Sequence, residues 1–137
     1  GLRLGYGLCS DTDLLERMEE VRQPWGVSIP AQEAGIAALD ETDWCRQVRS
    51  YVTEQRMWLA GELESMGCKV YPSSANYLLF YLDQELMESL KRKGILIRDC
   101  SNYQGLTKGY YRIAVKTEEE NRQLIDAIRD ALDKEDL

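Results

Sequence analysis

The segment at residues 94–115, GILIRDCSNYQGLTKGYYRIAV, constrains the fold more than any other part of this chain. It reads as two apolar strands joined by a polar loop, with one arginine in each strand. Gly94 closes the helix before it, and Ile95, Leu96 and Ile97 form an aliphatic run that ends at Arg98. The loop at 99–109 supplies Ser101, Asn102, Gly105 and Gly109 as turn formers. Residues 110–115 then alternate. Tyr111, Ile113 and Val115 point one way, and Tyr110, Arg112 and Ala114 the other. Arg98 and Arg112 are single cations in apolar strands, which suggests a prepared anion site. The alternative is an edge-strand arginine with its head in water or on a carboxylate, and on spacing alone that is the commoner case.

A chain of 137 residues is long enough to bury a core and short enough to be one domain. Its formal net charge of −7 argues against non-specific binding to nucleic acid or to an anionic membrane surface. The same charge sharpens the arginine question, because local positive charge in an acidic chain needs a reason. The N-terminus lacks a signal-peptide layout, and no apolar run reaches membrane-spanning length, so a cytoplasmic location is expected. Cys9, Cys45, Cys68 and Cys100 are scattered, with no CxxC, and the chain has no histidine. That argues against a zinc site and a disulfide framework. It also excludes Ser-His-Asp and Cys-His catalysis. Any chemistry here must use lysine, arginine, tyrosine, carboxylates or a cofactor.

Taken in order, the chain opens on GLRLGYGLC, a strand-like run with alternate glycines and no initiating methionine, expected to be the cut edge of a longer protein. Residues 10–13, SDTD, cap a helix whose apolar face is Leu14, Leu15, Met18 and Val21, and Pro24-Trp25-Gly26 breaks it. Ser28 and Pro30 start a second helix, with Ala34, Ile36, Ala37, Ala38 and Leu39 as its packing surface. Residues 40–43 cap a long third helix to about Met66, striped by Trp44, Val48, Tyr51, Val52, Leu59, Leu63 and Met66, and Gly67 stops it. A strand at 68–71 leads through Pro72 to NYLLFYL at 76–82, too continuously apolar to be half exposed and therefore central in a sheet. A short helix at 84–93 faces inward through Leu86, Met87 and Leu90. After the two-arginine segment, TEEE at 117–120 is a capping box, and the last helix packs through Leu124, Ile125, Ile128 and Leu132 before a tail, DKEDL, that should fray. The order predicts an α+β fold, with helices covering one face of a small, mainly antiparallel sheet.

GLRLGYG, PSSANYLLF, GILIRDCSNYQGL and GYYRIAV, in this order, resemble the fold-type I enzymes that use pyridoxal phosphate. The resemblance is to the class I/II aminotransferases, on the branch of histidinol-phosphate aminotransferase and of threonine-phosphate decarboxylase of cobalamin biosynthesis. It spans essentially the whole chain and corresponds to the C-terminal third of such an enzyme. It implies that residues 1–39 are a remnant of the large cofactor-binding domain and interdomain segment. Residues 40–137 would be the small C-terminal domain with its long connecting helix.

The resemblance implies that Arg3 binds the cofactor phosphate and that Arg98 and Arg112 hold the substrate's phosphate. The lysine that carries the cofactor would fall before Gly1, so these residues alone would be inactive. The run Arg-Asp-Cys-Ser-Asn-Tyr at 98–103 tilts the resemblance towards the decarboxylase. The implied partners are a small phosphorylated amino acid or amino alcohol and a second copy of the enzyme, with neither nucleic acid nor membrane. Tyr103, Tyr110 and Asn102 are candidates to line the pocket, although such a loop is more often structural. Trp25, Trp44 and Trp58 are expected in the core or at a domain interface. A free-standing α+β anion-binding module, using the same two arginines, remains open.

Overall fold

The structure, a computed structural model, describes residues 2–133. In chain order the elements are α1 (Thr12–Val21), α2 (Ile29–Asp40), α3 (Thr42–Ser65), β1 (Lys69–Val70), β2 (Tyr77–Tyr81), α4 (Met87–Arg92), β3 (Arg98–Asp99), β4 (Tyr110–Ala114) and α5 (Glu118–Leu132). They fall into two compact units that divide between Arg46 and Gln47, inside α3. None of the described helices is long and apolar enough to cross a membrane. The expected fraying of the tail concerns residues that, from Lys134 on, lie outside those described.

In the first unit the helix starts are the ones the caps specify. The Asp11 carboxylate accepts from Leu14 N at 3.0 Å and opens α1. Ser28 Oγ accepts from Ala31 N and, with Pro30 in the first turn, opens α2. The expected opening strand is not formed, and residues 2–9 take no regular structure. A strand satisfies its N–H and C=O groups only beside another strand, and no described strand pairs with this one. Leu4 instead lies against Gly35 of α2, where its side chain takes the space a β-carbon would need. The apolar faces expected of α1 and α2 are also largely uncovered within this unit. Leu14, Leu15, Met18 and Val21 are all exposed, and in α2 only Ala31 is buried.

The second unit holds the core. Its four-stranded sheet has the order β1-β2-β4-β3, antiparallel throughout. β2 and β4 form the centre, with Leu78 opposite Ile113 and Phe80 opposite Tyr111. These four side chains face Leu59 and Leu63 of α3, Leu90 of α4, and Leu124, Ile125 and Ile128 of α5. Each fully buried side chain of this size contributes roughly 1.5–3 kcal/mol. Tyr111 keeps its hydroxyl satisfied by donating to Gln84 O at 2.9 Å. The helices thus cover one face. NYLLFYL is central, as its composition requires, but its other face is not sealed: Tyr77 is 43% exposed. The α3 stripe likewise divides, with Trp44, Val48 and Tyr51 exposed and Leu59 and Leu63 buried.

Glycine sets where helix hands over to sheet. Gly94 takes φ +75° and closes α4, donating to Lys91 O at 3.0 Å while Ile95 N donates to Leu90 O at 3.0 Å. That bond explains a shift in the expected strand. Ile95 spends its N–H on the helix end, residues 94–97 stay irregular, and β3 begins only at Arg98. The last helix starts at a complete capping box, in which Thr117 Oγ1 accepts from Glu120 N and the Glu120 carboxylate accepts from Thr117 N.

Candidate functional site

Arg98 and Arg112 are direct cross-strand partners in the β3–β4 ladder. Residues so paired project from the same face, so both guanidinium groups stand on the side of the sheet that the helices leave uncovered. Asp99 follows Arg98 in sequence but, opposite Tyr111, belongs to the other face. Its carboxylate accepts from Ser101 N at 2.8 Å and from Ser101 Oγ at 2.9 Å. These bonds, more than the neighbouring cations, hold Asp99 below the usual carboxylate range. The nearest acid in sequence is therefore occupied elsewhere. Among the described residues neither arginine forms an ion pair.

Each cation is steadied by uncharged neighbours. Arg98 Nη2 donates to Asn102 Oδ1 at 3.2 Å, and its Cζ lies 5.5 Å from the Tyr103 ring centre. Arg112 Cζ lies 5.1 Å from the Tyr77 ring centre. A cation over an aromatic face gains about 0.5–1 kcal/mol at exposed sites and stays charged and available. Tyr77 is a site residue that the sequence pattern does not single out. It lies two residues along β2 from Leu79, which is opposite Arg112, and only the register reveals that diagonal.

A groove of about 620 Å³ opens beside the pair. It lies where the ladder between β3 and β4 ends at Arg98 and Arg112, and residues 94–97 and 112–114 line it. Ile95, Ile97, Ile113 and Leu124 give it apolar surface, and Arg98, Arg112 and Lys116 give it cations. Lys116 is matched by the Glu120 carboxylate, so the arginines are the unneutralised charges of the groove. Cys100, fully buried next to them, has its thiol pushed up by burial, an effect the arginines oppose. On the same open face Tyr71 and Tyr110 share a hydrogen bond at 3.2 Å, which raises the Tyr110 hydroxyl.

The third candidate, Arg3, belongs to the first unit. It is exposed, has φ +60°, and forms no ion pair among the described residues. Trp25 and Trp44 are exposed, contrary to a core placement within these units, whereas Trp58 is half-buried under the Arg122 guanidinium.

Comparison with known proteins fits this architecture. The model of the family "Aminotransferase class I and II" matches residues 1–128. Histidinol-phosphate aminotransferase 2 of Archaeoglobus fulgidus is 40% identical over 95% of this chain and 38% of its own length. Threonine-phosphate decarboxylase of Salmonella typhimurium is 37% identical over 96% of this chain and 37% of its own length. The crystal structure of histidinol-phosphate aminotransferase from Clostridium acetobutylicum superposes with a TM-score of 0.89 at 26% identity, covering 97% of this chain and 42% of that one. The chain thus spans less than two-fifths of the length of these two curated relatives. A family match over nearly all the described residues, on a fold that superposes this closely, places the chain in the class I and II aminotransferase family.

Proposed function

We propose that Arg98 and Arg112 anchor the phosphate of a small phosphorylated amino acid or amino alcohol, in an enzyme that works with pyridoxal phosphate. The register carries this reading. Two directly opposed arginines on adjacent strands have Cα atoms about 5.5 Å apart when the pair is hydrogen-bonded. Each guanidinium offers parallel N–H groups to a different edge of the same phosphate. The helices leave this face open, and the apolar groove beside it suits the rest of a small substrate.

Arg3 is the residue proposed for the cofactor's phosphate. An exposed guanidinium without a carboxylate partner fits that role. On this reading the cofactor is held by a lysine of the complete enzyme, to which Arg3 adds the phosphate contact. On the same reading residues 1–39 belong with a large cofactor-binding domain and 40–137 form the small domain of a cytoplasmic homodimer.

The cofactor, when bound, supplies an electron sink for the substrate's Cα. The contribution of this chain is orientation: Arg98 and Arg112 fix the phosphate, and that decides which substituent of Cα faces the reacting plane. The preferred reaction is decarboxylation of threonine phosphate to aminopropanol phosphate, because the 98–103 loop that carries the likeness to the decarboxylase also holds Arg98. The second reading is amino transfer from histidinol phosphate, favoured by the 40% identity and the TM-score of 0.89 to such aminotransferases. The test is the complete enzyme with pyridoxal phosphate and threonine phosphate, without a keto acid. Sustained carbon dioxide release supports decarboxylation. Turnover only with histidinol phosphate and 2-oxoglutarate replaces it with amino transfer.

A further inference from the structure

Resting on the reading of Arg98 and Arg112 as an anion anchor, we propose that Asn102 is a positioning residue. It presets the Arg98 guanidinium through an uncharged acceptor.

An arginine on the open face of a two-residue edge strand has four side-chain rotations to lose when it grips a ligand. The loop after β3 removes part of that freedom beforehand. Asn102 Oδ1 accepts from Arg98 Nη2 at 3.2 Å, and the Tyr103 ring lies 5.5 Å from Cζ. Both residues are brought back over Arg98 by a braced turn. Ser101 N and Oγ donate to the Asp99 carboxylate, Cys100 N donates to Tyr110 O at 2.9 Å, and Tyr103 N donates to Cys100 O at 3.0 Å. Arg98 Nε and Nη1 take no side-chain acceptor among the described residues, so one edge of the fork is held and another is free.

The choice of an amide matters. An amide oxygen fixes the guanidinium and leaves its charge intact. A carboxylate in the same place would form an ion pair and compete with an incoming anion. Arg112 is held differently, against the Tyr77 ring with no side-chain hydrogen bond among the described residues, and has all its donors for a ligand.

The experiment titrates the complete enzyme with inorganic phosphate and follows the arginine Nε–H resonances, in the wild type, Asn102→Ala and Asn102→Asp. In the wild type the Arg98 and Arg112 signals shift together and saturate. Asn102→Ala weakens binding about two- to tenfold, the range for ordering one long side chain on binding. Asn102→Asp weakens it further at pH 7. Its deficit relative to the wild type at the same pH shrinks as pH falls through the carboxylate range, about 4. Asn102 is exposed, so both variants keep the core, which the Ile113 and Ile125 methyl signals check. If all three proteins bind equally at every pH, the positioning role is wrong and the anchor stands. If the wild type shows no saturable shift of either arginine, the anchor itself falls, and the positioning role with it.

Discussion

Asn121 Nδ2 donates to Gln55 Oε1 at 3.0 Å, joining α5 to α3 through two polar side chains that are 1% and 7% exposed. The same amide accepts from Lys116 N at 3.0 Å and donates to Lys116 O at 3.1 Å, so it also pins the chain between β4 and α5. Asn121→Ala strands the Gln55 oxygen and both Lys116 backbone groups. The expected cost is about 2–3 kcal/mol. Urea unfolding followed by far-ultraviolet circular dichroism should show the lower midpoint. Gln55→Ala costs less, because Asn121 keeps its Lys116 bonds.

The arginine pair should behave as a binding device and not as a structural one. Arg112→Lys keeps the charge but loses the planar fork. In the complete enzyme it should raise KM for a phosphorylated substrate about tenfold or more, the scale of one charge-assisted hydrogen bond. Arg98→Ala should act in the same direction. Both variants should hold the wild-type stability, by urea unfolding, within about 0.5 kcal/mol, since the side chains stand on the open face. A large stability loss without a change in KM would assign the pair to structure.

The capping box of α5 gives a pH dependence of known sign. Bonds from Lys116, then from the Thr117 hydroxyl and backbone, lower the Glu120 carboxyl from its ordinary 4.5 to about 2. Its stabilisation is complete above 4.5 and is lost as pH falls through about 2. Wild type and Glu120→Gln should therefore differ in urea midpoint at pH 6 and converge near pH 2. A difference that stays constant over this range would remove Glu120 from the acid transition.

Thiol reactivity should split the four cysteines evenly. Cys9 and Cys45 are exposed, whereas Cys68 and Cys100 are buried. Burial pushes the Cys68 thiol up to about 11. At pH 8 an aromatic disulfide reagent should titrate two thiols rapidly and the remaining two only after addition of denaturant.

Two glycines with left-handed backbone should rank by their surroundings. Gly94 has φ +75° and open space where a β-carbon would stand, so Gly94→Ala costs about 1 kcal/mol from backbone strain. Gly109 has φ +90°, and a β-carbon there would meet Leu82 O at 2.7 Å, across the bond that starts the β2–β4 pairing. Gly109→Ala should be the more damaging of the two in thermal unfolding.

Local signals in this chain are read well, and pair signals poorly. Asp11, Ser28, Thr117, Gly67 and Gly94 mark helix ends because each acts on its own backbone within a few residues. The alternation from Tyr110 to Val115 reports one buried face correctly, with Tyr111 and Ile113 inside. What fails needs a partner distant in sequence. The opening strand has the composition of a strand but no neighbour to bond. Gln55 looks like one more polar residue on a helix until Asn121, 66 residues later, is placed against it. The candidate site was legible as two arginines in strands. Their opposition, Tyr77 beneath one and the Asn102 bond to the other depend on register and on the path of a loop.

The pleat that separates Arg98 from Asp99 sorts charge by distance. At low ionic strength, where screening reaches farther than about 10 Å, an approaching anion senses the net −7 of this chain. At hydrogen-bond range on the open face it senses two guanidinium groups whose sequence-adjacent acid is turned away. Added salt then acts oppositely on the two steps. It screens the long-range repulsion and speeds arrival, and it weakens the final grip. If Arg98 and Arg112 are the proposed anchor, this chain selects anions at the door and not along the approach.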